Sequence, residues 1–167
     1  VEDPWGTRLV LVQDAETLGI HHVELRVTDP DATLRWYARA FGGERTKYKD
    51  RIDAVRYLGL GAFYLFAVRD DDAEASPGHS IDHLGFGPID LDKVVTALSA
   101  DGVTFISNPN PRLNPACRAV AGDGDSTQGV RRLYCEEPPQ LAHRTVFLDA
   151  PGGVRIELVQ HLEAGGH

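Results

Sequence analysis

The feature that most restricts the fold is a repeat. Residues 22–31 read His-Val-Glu-Leu-Arg-Val-Thr-Asp-Pro-Asp, and residues 83–92 read His-Leu-Gly-Phe-Gly-Pro-Ile-Asp-Leu-Asp. An offset of 61 residues sets His22 on His83, Asp29 on Asp90 and Asp31 on Asp92. A chain that repeats itself at such a spacing builds one supersecondary unit more than once, so two similar modules are expected. Each block begins with the period-two alternation of a strand. Val23, Leu25 and Val27 fall on one face of the first, with His22, Glu24 and Arg26 opposite. In the second, Leu84 and Phe86 oppose His83, Gly85 and Gly87. Each histidine therefore leaves the apolar face of its own strand, which is where a ligand-binding group has to stand.

Both strands run into helical spacing. Asp29 is a good N-cap, and Pro30 suits the first helical position. Leu34, Tyr37 and Phe41 form one stripe, and Gly42-Gly43 stops the helix. Asp90 caps the second helix, which carries Val94, Val95 and Leu98 and ends near Gly102. Strands are expected at 45–48, 54–60 and 63–68 after the first helix, and at 103–107, 145–148 and 154–160 after the second. Each half then reads βαβββ. Residues 70–80, acidic and bearing Pro and Gly, read as a linker between the halves. Residues 108–142 form an irregular stretch long enough to suggest a substrate lid or an insertion, with a short strand at 130–136.

A second repeat links the two ends. Pro151-Gly-Gly-Val-Arg155-Ile-Glu157-Leu-Val-Gln160 is echoed by Pro4-Trp-Gly-Thr-Arg8-Leu-Val10-Leu-Val-Gln13, with Val10 in the place of Glu157. Residues 1–18 are accordingly expected to form an extra strand like the closing strand of an upstream module, in a longer parent polypeptide. The chain contains no Met, so a leader ahead of it would be invisible.

Composition narrows the class of partner. With 42% hydrophobic and 25% charged residues, the chain has what a packed core requires. A formal charge of −8 disfavours nucleic acid and anionic membrane surfaces, whose phosphates it repels. No apolar run reaches the roughly 20 residues that cross a bilayer. The charge says nothing about small ligands. Cys117 and Cys135 fit no zinc spacing, and they read as free thiols of a reducing compartment rather than as a pair. The expected location is cytoplasmic.

Four segments carry a family resemblance: Ile-His-His-Val-x-Leu at 20–25, Leu-x-Trp-Tyr-x-x-x-Phe-Gly-Gly at 34–43, Ile-Asp-His-Leu-Gly-Phe at 81–86, and Asp-Ala-Pro-Gly-Gly-Val-Arg-Ile-Glu-Leu-Val-Gln at 149–160. Over residues 19–162 the chain resembles the vicinal-oxygen-chelate superfamily, the fold of glyoxalases, bleomycin-resistance proteins and extradiol dioxygenases. The resemblance implies an α+β fold in which two βαβββ modules, at 19–72 and 73–163, form a curved, incompletely closed eight-stranded mixed sheet around a metal site. The helices would lie on its outer face.

Carried over residue by residue, the resemblance implies His22, His83 and Glu157 as ligands of one divalent ion, Fe, Zn, Mn, Ni or Co. Glu157 alternates with Ile156 and Leu158, so it too leaves an apolar face. The fourth-strand ligand position falls at Leu65, which cannot bind metal. Glu157, Glu24, Arg26 and Tyr64 are the candidate catalytic groups, with Tyr57 a second phenol; Glu24, Arg26 and Arg155 on the ligand face read equally as an ion-pair cluster lining a solvated concavity. His143 reads as a plain loop histidine, with a proton donor at the rim as the alternative. His21, on the opposite face from His22 by strand parity, reads as structural.

The reaction expected is that of a lyase, isomerase or ring-cleaving dioxygenase acting on a small substrate through vicinal oxygens. Leu65 argues against a lactoylglutathione lyase, and Phe147 stands where dioxygenases tend to carry a tyrosine. The competing expectation is a bleomycin-resistance-type binding protein without catalysis. A homodimer is expected in either case, because paired modules close equally well within a chain or across a two-fold axis.

Overall fold

A computed structural model describes residues 1–17, 19–58, 62–88, 90–106, 117–120, 131–135 and 143–161, with the side chains of 117–120, 131–135, 143–144 and 161 excepted. The chain divides into two compact units. One comprises Val1–Asp82 with Pro151–Val154, the other His83–Ala150 with Arg155–His167. Residues 70–80 thus fall within the first unit.

The first unit is a βαβββ module. It contains β1 (His22–Val27), α1 (Pro30–Phe41), β2 (Glu44–Tyr48), β3 (Ile52–Tyr57) and β4 (Phe63–Arg69), with sheet order β1-β4-β3-β2. β1 pairs with β4 in parallel, and the other pairings are antiparallel. α1 starts as its sequence requires. The Asp29 carboxylate accepts from the Ala32 N–H at 3.0 Å, and Pro30 occupies the first turn. The helix buries Thr33, Leu34 and Tyr37 on a sheet face made of Leu25, Val27, Val55, Leu65 and Ala67.

Past the helix, Gly43 adopts φ +88° where a Cβ would meet Val55 Cγ1 at 2.6 Å, so only glycine fits between α1 and β3. The β2–β3 hairpin turns at Lys49 and Asp50, both at positive φ (47° and 57°). Two consecutive left-handed residues match the right-handed twist of the flanking strands.

The second unit repeats the plan and extends it. Its elements are β5 (His83–Phe86), α2 (Leu91–Ala100), β6 (Phe105–Ile106), β7 (Cys117–Val120), β8 (Arg131–Cys135), β9 (His143–Asp149) and β10 (Arg155–His161). Strand order is β5-β10-β9-β8-β7, with β6 also on β9. β5 pairs with β10 in parallel, the same closure as β1 with β4. Asp90 caps α2 by accepting from the Lys93 N–H at 3.0 Å. Leu91, Val95 and Leu98 are buried, as are Val146, Leu148, Ile156 and Leu158 on one face of the sheet.

The two βαβββ modules are therefore present, β1–β4 in one unit and β5, β6, β9 and β10 in the other. The hairpin β7–β8 is an addition. It sets Cys117 opposite Cys135 in the backbone register, and its first strand is one that the sequence pattern of 108–142 does not predict. The rest of that stretch, and with it the expected lid, lies outside the described residues.

The expected extra strand near the N-terminus does not form among the described residues. Glu2 and Arg8 make an isolated bridge around a turn in which the Asp3 carboxylate accepts from the Trp5 and Thr7 N–H groups at 2.9 and 2.8 Å. The turn of the repeat is there, but residues 9–14 pair with no strand. A strand needs a neighbouring edge for its N–H and C=O groups, and Val10 and Leu11 stand exposed instead. No helix among the described residues is long and apolar enough to cross a membrane.

Candidate functional site

Register decides which side chains share a face. Paired residues on neighbouring strands project to the same side, and His22 pairs with Tyr64, Glu24 with Phe66 and Arg26 with Val68. β3 adds Arg56 beside Tyr64 and Ala54 beside Phe66, and β2 adds Tyr48 through Ile52. The face of the first unit turned away from α1 therefore carries His22, Glu24 and Arg26 with Tyr48, Tyr64, Phe66 and Arg56.

The rings on this face touch. His22 stacks on Phe66 with centroids 4.5 Å apart and planes at 24°. Tyr48 lies 5.1 Å from Tyr64 and 5.6 Å from Phe66, and the Arg56 guanidinium stands over the Tyr64 ring at 5.7 Å. Burial holds the His22 imidazole below its usual range, and His21 pushes the same way while Glu24 opposes it. The neutral imidazole that this favours is the form that carries a free lone pair. Glu24 and Arg26 sit in an exposed ion network, with Arg26 3.7 Å from Glu24 and 3.2 Å from Asp70. Water screens such pairs, so the network orients the side chains more than it stabilises the fold.

Three expectations change at this point. The fourth-strand ligand position is not Leu65, which is fully buried beneath α1 on the opposite face. In the second unit Gly85 pairs with Glu157, and in the first unit Glu24, the repeat mate of Gly85, pairs with Phe66. Phe66 is thus the counterpart of Glu157. It still binds no metal, but it lies on the face of His22 and stacks on it.

His21 does not lie on the face opposite His22. It precedes β1, so strand alternation does not govern it, and its ring packs at 5.1 Å from His22, 5.0 Å from Tyr48 and 5.6 Å from Tyr64. Tyr57 leaves the site altogether. It stacks on Phe63 at 5.1 Å and donates to the Tyr37 carbonyl at 3.3 Å, and burial raises its phenol above the usual range.

In the second unit, Arg155 pairs with His83, Glu157 with Gly85 and with Phe147, and Arg155 with Asp149. His83 Nε2 stands 3.3 Å from Glu157 Oε2. The other carboxylate oxygen, Oε1, accepts from the Thr145 hydroxyl at 2.7 Å. Thr145 is only 1% exposed, which fixes the donor rigidly. Arg155 is drawn to Asp149, with Nε at 2.9 Å and a second nitrogen at 3.3 Å from its carboxylate. Phe147 packs edge-on to His83 at 5.4 Å. Beside the pair, Gly85 leaves open space, since a Cβ there would meet nothing within 4 Å.

Two donors that share one ion at about 2.0–2.2 Å each stand roughly 3.0–3.4 Å apart. The His83–Glu157 separation of 3.3 Å meets that requirement, and an imidazole with a carboxylate suits a borderline divalent cation. The structure brings these two expected ligands together. His22 lies in the other unit, and among the described residues no group of three or more His, Cys, Asp or Glu is gathered to hold a metal. The side chain of His143 lies outside the described residues.

The sequence profile of the Glyoxalase/Bleomycin resistance protein/Dioxygenase superfamily matches residues 19–158. No curated protein matches the chain. Among solved structures, a glyoxalase/bleomycin resistance protein/dioxygenase from Alicyclobacillus acidocaldarius superposes with a TM-score of 0.54 at 14% identity, over 87% of this chain and 93% of that one. The genomically encoded fosfomycin resistance protein FosX from Listeria monocytogenes gives 0.52 at 14% identity, over 85% and 92%. The oxidase ChaP-H2 gives 0.53 at 16% identity, over 90% and 99%. At these identities the likeness is one of fold.

Proposed function

The chain belongs to the Glyoxalase/Bleomycin resistance protein/Dioxygenase superfamily, and on that premise we propose that it is a divalent-metal-dependent enzyme with His22, His83 and Glu157 as the metal ligands. Its substrate would be a small molecule held by two neighbouring oxygens. The observation that carries the reading is the His83–Glu157 pair, two donors 3.3 Å apart on adjoining strands, with His22 the repeat mate of His83.

A divalent ion bound there supplies Lewis acidity towards the substrate oxygens. The chain's own residues set the rest. Thr145 occupies one oxygen of Glu157, so the carboxylate presents the other beside His83. Phe66 in the place of a second carboxylate withholds a negative charge and a base, and, only 3% exposed, it forms the packed floor on which His22 stacks. Glu24 is then the carboxylate on the His22 face available to accept a proton, while Arg26 and Tyr64 on that face orient an anionic or carbonyl oxygen. The reaction falls among lyase, isomerase and ring-cleaving dioxygenase chemistry. The metal is Fe, Zn, Mn, Ni or Co, and the working form is a cytoplasmic homodimer.

Elemental analysis tests this. The purified protein is expected to carry about one equivalent of such a metal per chain, lost in each of His22→Ala, His83→Ala and Glu157→Gln. Metal content unchanged by all three substitutions would sink the assignment. A second reading is favoured by the cluster of Tyr48, Tyr64 and Phe66: sequestration of an aromatic small molecule without catalysis. Undiminished binding of a planar aromatic probe after chelator treatment, with no turnover in the metal-loaded protein, would decide for it.

A further inference from the structure

Beside His22 lies a cluster that the proposed chemistry does not use. His21 is buried, with 8% of its surface exposed. Its Nδ1 stands 2.9 Å from Nδ1 of His22. Its Nε2 has no hydrogen-bond partner and no contact with solvent, and it faces Asp14 Oδ2 at 3.5 Å. The Asp14 side chain is itself 13% exposed and is held in place from two sides. Oδ1 accepts from the Glu16 N–H at 2.8 Å, and Oδ2 accepts from the Tyr48 hydroxyl at 2.9 Å. The His21 backbone is fixed too, because its carbonyl accepts from the Tyr64 N–H at 3.0 Å.

With both rings neutral, these positions favour one arrangement of protons, because a bare Nε2 lone pair on His21 would face the Asp14 carboxylate. A neutral imidazole carries a single N–H, and an ionised carboxylate only accepts. With Asp14 facing its Nε2, His21 carries its proton there, and its Nδ1 is an acceptor. The contact between the two Nδ1 atoms then requires His22 to donate, so the His22 proton sits on Nδ1. Nε2 of His22 is left as a bare lone pair, with the ring plane set by its stack on Phe66.

We infer that Asp14 and His21 are positioning residues which fix the tautomer and orientation of His22, so that Nε2 is the atom it offers to a metal. The inference rests on the reading of His22 as a ligand. A carboxylate–histidine chain behind a ligating histidine orients the ring and raises its basicity, and its loss costs about 10–100-fold in metal affinity. The carboxylate comes from the segment ahead of the module, so that segment takes part in building the site through Asp14.

The test reads the rings directly. Long-range proton–nitrogen correlation spectra of the metal-free protein, near neutral pH, distinguish a protonated from a bare ring nitrogen. The wild type is expected to show His22 protonated at Nδ1 and His21 at Nε2. Asp14→Ala is expected to release His22 into a mixture of tautomers and to weaken Co(II) binding by about 10–100-fold, with Asp14→Asn, which keeps a neutral acceptor, in between. Should Asp14→Ala fail to fold, His21→Phe keeps the ring packing and is expected to release His22 in the same way. A wild-type His22 protonated at Nε2, or ring shifts of His22 indifferent to both Asp14→Ala and His21→Phe, overturns the inference. Failure of the metal reading looks different, because His22→Ala would then leave Co(II) affinity unchanged while the ring shifts still hold.

Discussion

Thr145→Val removes one hydroxyl from beneath the candidate ligand and changes little else, since the two side chains are nearly isosteric and the site is 1% exposed. The bond lost is 2.7 Å long and ends on Oε1 of Glu157. A hydrogen bond to a charged group contributes about 1.5–3 kcal/mol net. Glu157 retains 22% exposure of its side chain, so the freed oxygen regains part of its hydration and the loss falls at the lower end, about 1–2 kcal/mol. The new buried methyl offsets up to about 0.8 kcal/mol of that. A net loss of about 1 kcal/mol is expected, read as a lower urea midpoint at unchanged slope and a fall of roughly 2–4 °C in Tm.

The double-mutant cycle with Glu157→Ala, which leaves Thr145 no acceptor there, isolates the pair, and its coupling is expected at about 1–2 kcal/mol. In parallel, metal affinity should drop about 10–100-fold, because the carboxylate is no longer held to one presentation. A coupling near zero together with unaltered metal affinity would refute the role given to Thr145.

The register makes a sharp contrast between neighbours. Leu65→Glu buries an unpaired carboxylate under α1 and is expected to unfold the protein, whereas Phe66→Glu, at a position 3% exposed but beside His22, gives the first unit the carboxylate that the repeat carries at Glu157 and should cost less stability and raise metal affinity. The opposite ordering would place Leu65 on the face of His22. Gly43→Ala combines a left-handed φ with a collision against Val55 and the Arg56 carbonyl, and a loss of about 1–3 kcal/mol in urea unfolding is expected. Asp29→Ala removes the α1 cap and should cost about 1 kcal/mol in the same assay.

What was readable in the amino-acid order was whatever alternates. β1, β5 and β10 place polar and apolar residues in turn, so the faces of His22, His83 and Glu157 followed without a structure. β4 gave no such signal. Phe63-Tyr64-Leu65-Phe66 is apolar at every position, and only pairing with β1 reveals that Tyr64 and Phe66, not Leu65, share the face of His22. His21 is the converse case, since it stands one residue before the strand begins, where parity does not set the face.

The turn at Lys49 and Asp50 bears none of the usual Asn-Gly chemistry, which displaced the expected start of β3 from Ile52 to 54. β7, Cys-Arg-Ala-Val, is too short to register as a period of two. Near the N-terminus the resemblance to residues 151–160 predicted a strand, but strand formation depends on a partner edge, and one segment's sequence says nothing of that.

The parallel closure of each unit has a kinetic consequence. His22 meets Tyr64 and His83 meets Arg155 across 42 and 72 positions of chain respectively, while the hairpins beside them join near neighbours. Contacts of such separation pay their loop entropy before they return anything, and so they tend to form late. The seam where β5 meets β10 also holds the imidazole and the carboxylate 3.3 Å apart. A partly folded second unit therefore has no assembled donor pair. Cation capture should appear only as the final strand docks, and its time course would serve as a clock for the completion of folding.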